Sequence, residues 1–108
     1  MPEDGSQKPP PSKEEARKIF QRSVMDGTLI STRHARKRMK EYGRDHNDVL
    51  ELARSGMVFN EPEPDIKTGE LVYRIESQRI GFKGQFICVS ESCARLLTVI
   101  NDTASSNF

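Results

Sequence analysis

His34 and Arg38 stand four residues apart in the run Thr32-Arg33-His34-Ala35-Arg36-Lys37-Arg38-Met39-Lys40-Glu41-Tyr42. On a helix that spacing brings two side chains onto one flank. An imidazole takes up or gives up a proton near neutral pH, and a guanidinium grips a phosphate through two parallel N–H bonds. Ala35, Met39 and Tyr42, at i, i+4 and i+7, form the apolar stripe of the same helix. With that stripe inward and about 100° per residue, Arg33, Lys37 and Lys40 point to solvent and Arg36 lies on the flank opposite His34 and Arg38. Each residue also has a plainer reading. His34 is then a rim residue bonded to a backbone carbonyl, Arg38 a partner for Glu41 or for an acidic loop, and the remaining cations a solvated face.

The charge around this run is local. The chain has 108 residues and a formal net charge of only +1. Residues 32–44 carry six Lys or Arg against Glu41, a net of +5, whereas residues 61–70 carry four carboxylates against Lys67, a net of −3. A nearly neutral molecule therefore presents a basic helix and an acidic loop.

The elements that must position the helix can be read from periodicity. Residues 1–11 are polar and end in Pro9-Pro10-Pro11, and residues 102–108 are again polar, so both read as disordered tails flanking a single domain at 12–101. Ser12 and Glu15 make a capping box ahead of Ala16, Ile19, Phe20 and Val24 at helical spacing, which predicts a first helix over residues 13–26 closed by Gly27. Leu29-Ile30 is a short apolar run that either pairs as a strand or bridges two helices. Thr32 caps the second helix, which ends near Gly43. Asp45 and Asp48 open a third, with Val49, Leu50, Leu52 and Ala53 inward, and Gly56 ends it. From residue 57 the period changes to two. Strands are expected at 57–59, 71–76, 79–82, 85–89 and 95–100, with Lys83-Gly84 and Glu91-Ser92 as turns and a proline-broken loop at 60–69. The fold class is α+β, with N-terminal helices packed on one face of a four- to five-stranded antiparallel sheet.

Apolar residues make up 34% of the chain and charged residues 31%. No apolar run reaches the roughly 18 residues of a membrane span, and the N-terminus lacks the pattern of a signal peptide, so the expected location is the cytoplasm. Cys88 and Cys93 stand where a hairpin could set them face to face. In a reducing compartment they read instead as a small buried residue and a turn-adjacent thiol. With two Cys and the separated His34 and His46, no zinc-ligand spacing is present, and neither a metal nor another cofactor is expected. His46, at a helix start, is disfavoured as a cation and reads as exposed.

The box at residues 32–39, with Tyr42-Gly43, Asp48-Val49-Leu50, Ser55-Gly56, the acidic proline-containing loop at 61–65, Tyr73-Arg74 and Thr98-Val99, resembles the domain of unknown function 4258 family. The resemblance covers about residues 28–100, and its most specific part is the His-Ala-x-x-Arg-Met box. That family resembles the BrnT and RelE toxins, compact sheets with N-terminal helices that cleave RNA without a metal. The resemblance therefore implies RNA as a partner, a possible antitoxin protein as a second, and a metal-independent endoribonuclease activity. Such cleavage needs a base for the 2′-hydroxyl proton, an acid for the leaving 5′-oxygen and cations for the phosphate. On this expectation His34 and Arg38 are the catalytic pair, and Arg33, Arg36, Lys37, Lys40, Arg74, Arg79 and Lys83 bind the nucleic acid. Tyr73 reads as a packed strand residue rather than an acid. The alternative is a non-catalytic module of the same fold that binds a nucleic acid or an acidic protein.

Overall fold

The computed structural model describes residues 9–101. The order is α1 (Lys13–Asp26), β1 (Ile30–Ser31), α2 (Arg33–Tyr42), α3 (His46–Ser55), β2 (Glu63–Pro64), β3 (Leu71–Ser77), β4 (Phe82–Ser90) and β5 (Cys93–Asn101). The strands form one five-stranded sheet in the order β1-β5-β4-β3-β2, antiparallel except for the β1–β5 pair. No helix among the described residues is long and apolar enough to cross a membrane.

Local signals set the helix boundaries. The Ser12 hydroxyl accepts from the Glu15 backbone N–H while the Glu15 carboxylate accepts from that of Ser12, and Gly27 closes α1 in the left-handed region at φ 75°. Asp45 and Asp48 form the equivalent box at the start of α3. The apolar faces that these boundaries define meet the sheet in a single cluster. Ala16, Ile19, Phe20 and Val24 of α1, Ala35 of α2 and Val49, Leu52 and Ala53 of α3 pack with Tyr73, Ile75, Phe82, Phe86, Ala94, Leu96 and Val99. The Phe86 ring lies 4.8 Å from Phe20 and 5.7 Å from Tyr73, centroid to centroid, within the range in which aromatic pairs add to simple burial.

The sheet departs from expectation in three places. The strand expected at 57–59 is a single bridge, in which Met57 and Glu76 exchange both backbone bonds at 2.9 Å while Phe59 is exposed. Of the strand expected at 79–82, residues 79–81 belong instead to the β3–β4 turn, closed by Gly81 at φ 60°, and Phe82 opens β4. β4 then runs uninterrupted through Lys83-Gly84, the expected turn. Gly84 is there for close packing. A Cβ at that position would stand 3.1 Å from a Leu96 methyl and 3.3 Å from one of Leu52, so the missing side chain lets α3 approach the sheet. The third departure is β2: two residues of the acidic loop pair with Leu71 and Val72 at the edge of the sheet.

Of the expected N-terminal tail, residues 1–8 lie outside the described residues, as does the C-terminal tail at 102–108. The Pro11 carbonyl lies inside them and accepts a 2.6 Å hydrogen bond from the Tyr73 hydroxyl. Burial, with the nearby Cys88, Glu15 and Glu61, pushes that phenol up to about 12. Tyr73 therefore holds its proton and serves the core.

The two cysteines are free and are not cross-strand partners: Cys88 is in register with Ala94, and Cys93 with Ser90. Cys93 donates to the Thr28 carbonyl. Burial pushes the Cys88 thiol from 9.0 up to about 11, which lowers its thiolate fraction at neutral pH by about 100-fold. Timed alkylation at pH 8 should therefore label Cys88 about 100-fold more slowly in the native protein than in denaturant. Equal rates in the two states would mean that the β4 packing around Cys88 is open.

Candidate nucleic-acid interface

α2 is held at both ends by groups that its own sequence does not pair locally. At its start the Thr32 hydroxyl accepts from the Ala35 N–H at 3.1 Å and donates to the Leu97 carbonyl at 2.8 Å, while the Thr32 N–H bonds Leu96. One residue thus caps the helix and fastens it to β5. At its end Gly43, at φ 69°, turns the chain, and Arg44 follows. Arg44 Nε donates to Asn101 at 2.8 Å, Nη1 to Asp48 at 3.1 Å and Nη2 to the Ile80 carbonyl at 2.7 Å, and the guanidinium lies 4.7 Å above the Phe82 ring. Between these anchors Ala35 is fully buried and Met39 and Tyr42 pack against the core.

The opposite side of α2 is exposed and cationic. Arg33, His34, Arg36, Lys37 and Lys40 are all exposed, and the helix carries five Lys or Arg against Glu41, a net of +4. The side chains of Arg33, His34, Lys37 and Lys40 have no hydrogen bond or ion pair among the described residues. Arg36 donates to the Ser31 carbonyl. This is a poor arrangement for helix stability. No acid occupies the first turn, where the helix dipole favours one, and Arg33–Lys37 and Arg36–Lys40 are like charges at i,i+4, each costing about 0.2–0.5 kcal/mol. Tertiary anchoring at Thr32, Ala35 and Arg44 offsets that cost.

Several cations elsewhere are matched with carboxylates, while Lys18 and Arg54 are exposed and have no ion pair among the described residues. Lys13 lies 3.5 Å from Glu61, Arg17 3.2 Å from Glu14, Arg74 3.4 Å from Glu63 and Arg79 3.3 Å from Glu51. Arg38, on α2 itself, is 3.3 Å from Glu41 and lies over the Tyr42 ring, 5.5 Å from its centroid, with its Nε buried and unpartnered. The pairing of Arg38 with Glu41 is the plainer of the two roles open to it in the sequence.

The residues expected to cooperate fall into groups. Arg33, His34, Arg36, Lys37, Arg38 and Lys40 share α2. Arg74 and Lys83 project from β3 and β4 between buried core residues, hence from the sheet face away from the core, and line a shallow recess of about 100 Å³ with Glu76, Gln85 and Ile100. Arg79 sits in the β3–β4 turn against α3. α2 contributes Ala35 to the core side and packs on β5, so Arg74 and Lys83 face away from the side on which it adds to the core. His46 is exposed at the first position of α3. The positioning roles of Thr32 and Arg44 have no local signal, because their partners Leu97, Asn101 and Ile80 lie 36 to 65 residues away in sequence. Compared with protein-family models, with characterised proteins and with solved structures, the chain gives no match in any of the three.

Proposed function

We propose that the chain is an RNA-binding domain of RelE-like fold that takes hold of the phosphate backbone through the outward face of α2. The observation that carries this reading is a cluster: Arg33, Lys37 and Lys40 stand exposed together on the outward face of one helix, with no carboxylate paired to them among the described residues. A solvated helix gains nothing from unmatched like charges. A polyanion neutralises them and releases its condensed counterions in exchange. The RelE-like arrangement, helices gathered on one sheet face, belongs to the proposal, and its support is the single cluster that all three helices form with alternate residues of β3, β4 and β5. The test is RNA affinity measured from about 0.05 to 0.3 M salt. Loss of several-fold affinity per doubling of salt is the expected result, and salt-independent affinity would reduce α2 to a solvated face.

A second reading, metal-independent cleavage, is favoured by His34. Its imidazole is exposed within one helical turn of Arg33, Lys37 and Arg38, so a proton acceptor stands beside cations suited to a phosphate. Because His34 is exposed and its side chain makes no hydrogen bond or ion pair among the described residues, His34→Ala should move the melting temperature by no more than about 4 °C. Stability and chemistry therefore separate cleanly at this position. Incubation with total RNA, with and without EDTA, should show EDTA-resistant cleavage that His34→Ala lowers by about 10²- to 10⁴-fold with affinity kept. RNA left intact by the wild-type protein leaves binding as the function.

A further inference from the structure

We infer that Arg38 is a phosphate ligand of α2 held in reserve, and that Glu41 is the carboxylate an RNA phosphate displaces from it; this rests on the binding reading above. Glu41 is the one acid of α2 and lies in its last turn, where the helix dipole disfavours a negative charge. Helix stability therefore does not account for its place. What Glu41 does there is accept a hydrogen bond from Arg38 Nη1 at 3.3 Å, with the guanidinium carbon 5.5 Å from the centre of the Tyr42 ring. That is a single contact, and it is long beside the about 2.7–2.9 Å of a strong charged pair. Arg38 Nε, meanwhile, is buried without an acceptor.

Such a pair holds weakly. Exposed ion pairs return little, and a buried donor left without an acceptor costs more than they return. Both side chains reach water, Arg38 at 42% exposure and Glu41 at 45%, so the guanidinium can swing off the ring and the carboxylate rehydrate while Ala35, Met39 and Tyr42 stay packed. A phosphate offers what Glu41 does not give in this geometry. Two of its oxygens accept in parallel from the planar guanidinium, and the swing that brings them together carries Nε out of its buried place. The position suits the exchange as well. Arg38 is next to Lys37 in the chain and one helical turn from His34, so once released it adds a two-pronged ligand to cations that already face outward.

The test is a double-mutant cycle of wild type, E41Q, R38Q and R38Q/E41Q, each titrated with one RNA oligonucleotide by fluorescence anisotropy at about 0.1 M salt. E41Q should tighten binding about three- to fivefold and R38Q should weaken it about threefold or more, whereas E41Q added to R38Q should change it less than about 1.5-fold. E41Q should also melt within about 4 °C of wild type, which separates the gain from any change in folding. An equal gain from E41Q with and without Arg38 would show that Glu41 acts only through the overall charge of α2, and no gain in either background would make the pair a fixed feature of the helix. Each of these results overturns this inference and leaves RNA binding by α2 standing. Wild-type protein that binds no RNA, or R33E/K37E/K40E that binds as wild type does, overturns the reading of α2 itself and this inference with it.

Discussion

Replacing Arg33, Lys37 and Lys40 together by Glu should abolish RNA binding while the protein stays folded. The substitutions turn the net charge of α2 from +4 to −2 without touching the core, since all three side chains are exposed and make no hydrogen bond or ion pair among the described residues. Each phosphate contact contributes about 0.7 to 0.9 to the slope of log K against log salt, so three contacts give the wild-type protein a slope of about −2 to −3. Reversal removes those contacts and adds repulsion, and the affinity loss should exceed about 100-fold at low salt, shrinking as salt rises. Stability should change little. A carboxylate at position 33 suits the first turn of the helix, one at position 40 does not suit the last, and each effect is about 0.3–1 kcal/mol. Circular dichroism and a melting curve on the same sample check the fold. Undiminished binding by a folded triple variant would move the RNA site away from α2.

The cationic face is legible in the sequence because everything that defines it is local. Ala35, Met39 and Tyr42 at helical spacing fix which way α2 turns, and that alone sends Arg33, Lys37 and Lys40 outward. The same holds for the helix ends: Ser12 with Glu15 and Asp45 with Asp48 close their hydrogen bonds within three residues. The sheet was harder to read. Lys83-Gly84 has the composition of a turn, and only the approach of Leu52 and Leu96 shows that Gly84 is a strand residue under a helix. Glu63-Pro64 looks like loop until Leu71 and Val72 supply the partner. The candidate site divides in the same way. The grouping of His34 with the α2 cations is local and visible, whereas the pairing of Arg74 with Glu63 and of Arg79 with Glu51 depends on how strands and helices meet.

Arg44 is the residue for which this difference matters most. In the sequence it is one more cation of the basic run; in the fold its side chain is 18% exposed and enters three hydrogen bonds and a ring contact. The contacts join the end of α2 to α3, to the β3–β4 turn and to the end of β5. Arg44→Ala removes them all and leaves Asn101, the Ile80 carbonyl and the Asp48 carboxylate short of a donor. A partly exposed network of this kind should cost about 2–3 kcal/mol, which for a domain of this size lowers the melting temperature by roughly 10–20 °C. Arg44→Lys should fall between, since one ammonium cannot reach three acceptors and lie flat on a ring. Acid should reveal the same network. Burial raises the Asp48 carboxyl, but the Asp45 backbone N–H and the Arg44 guanidinium outweigh it and hold the group below its usual 3.8. A depressed carboxylate stabilises the fold fully above the unfolded-state value of about 3.9, and that contribution is lost as pH falls through the folded-state value. The stability gap between wild type and Arg44→Ala should therefore be widest from about pH 5 upward and narrow below about pH 4. Melting temperatures of both proteins across that range decide the matter: a gap under about 2 °C at neutral pH would show that Arg44 is dispensable. A large gap that stays constant into acid would assign its worth to Asn101, Ile80 and Phe82 rather than to the Asp48 pair.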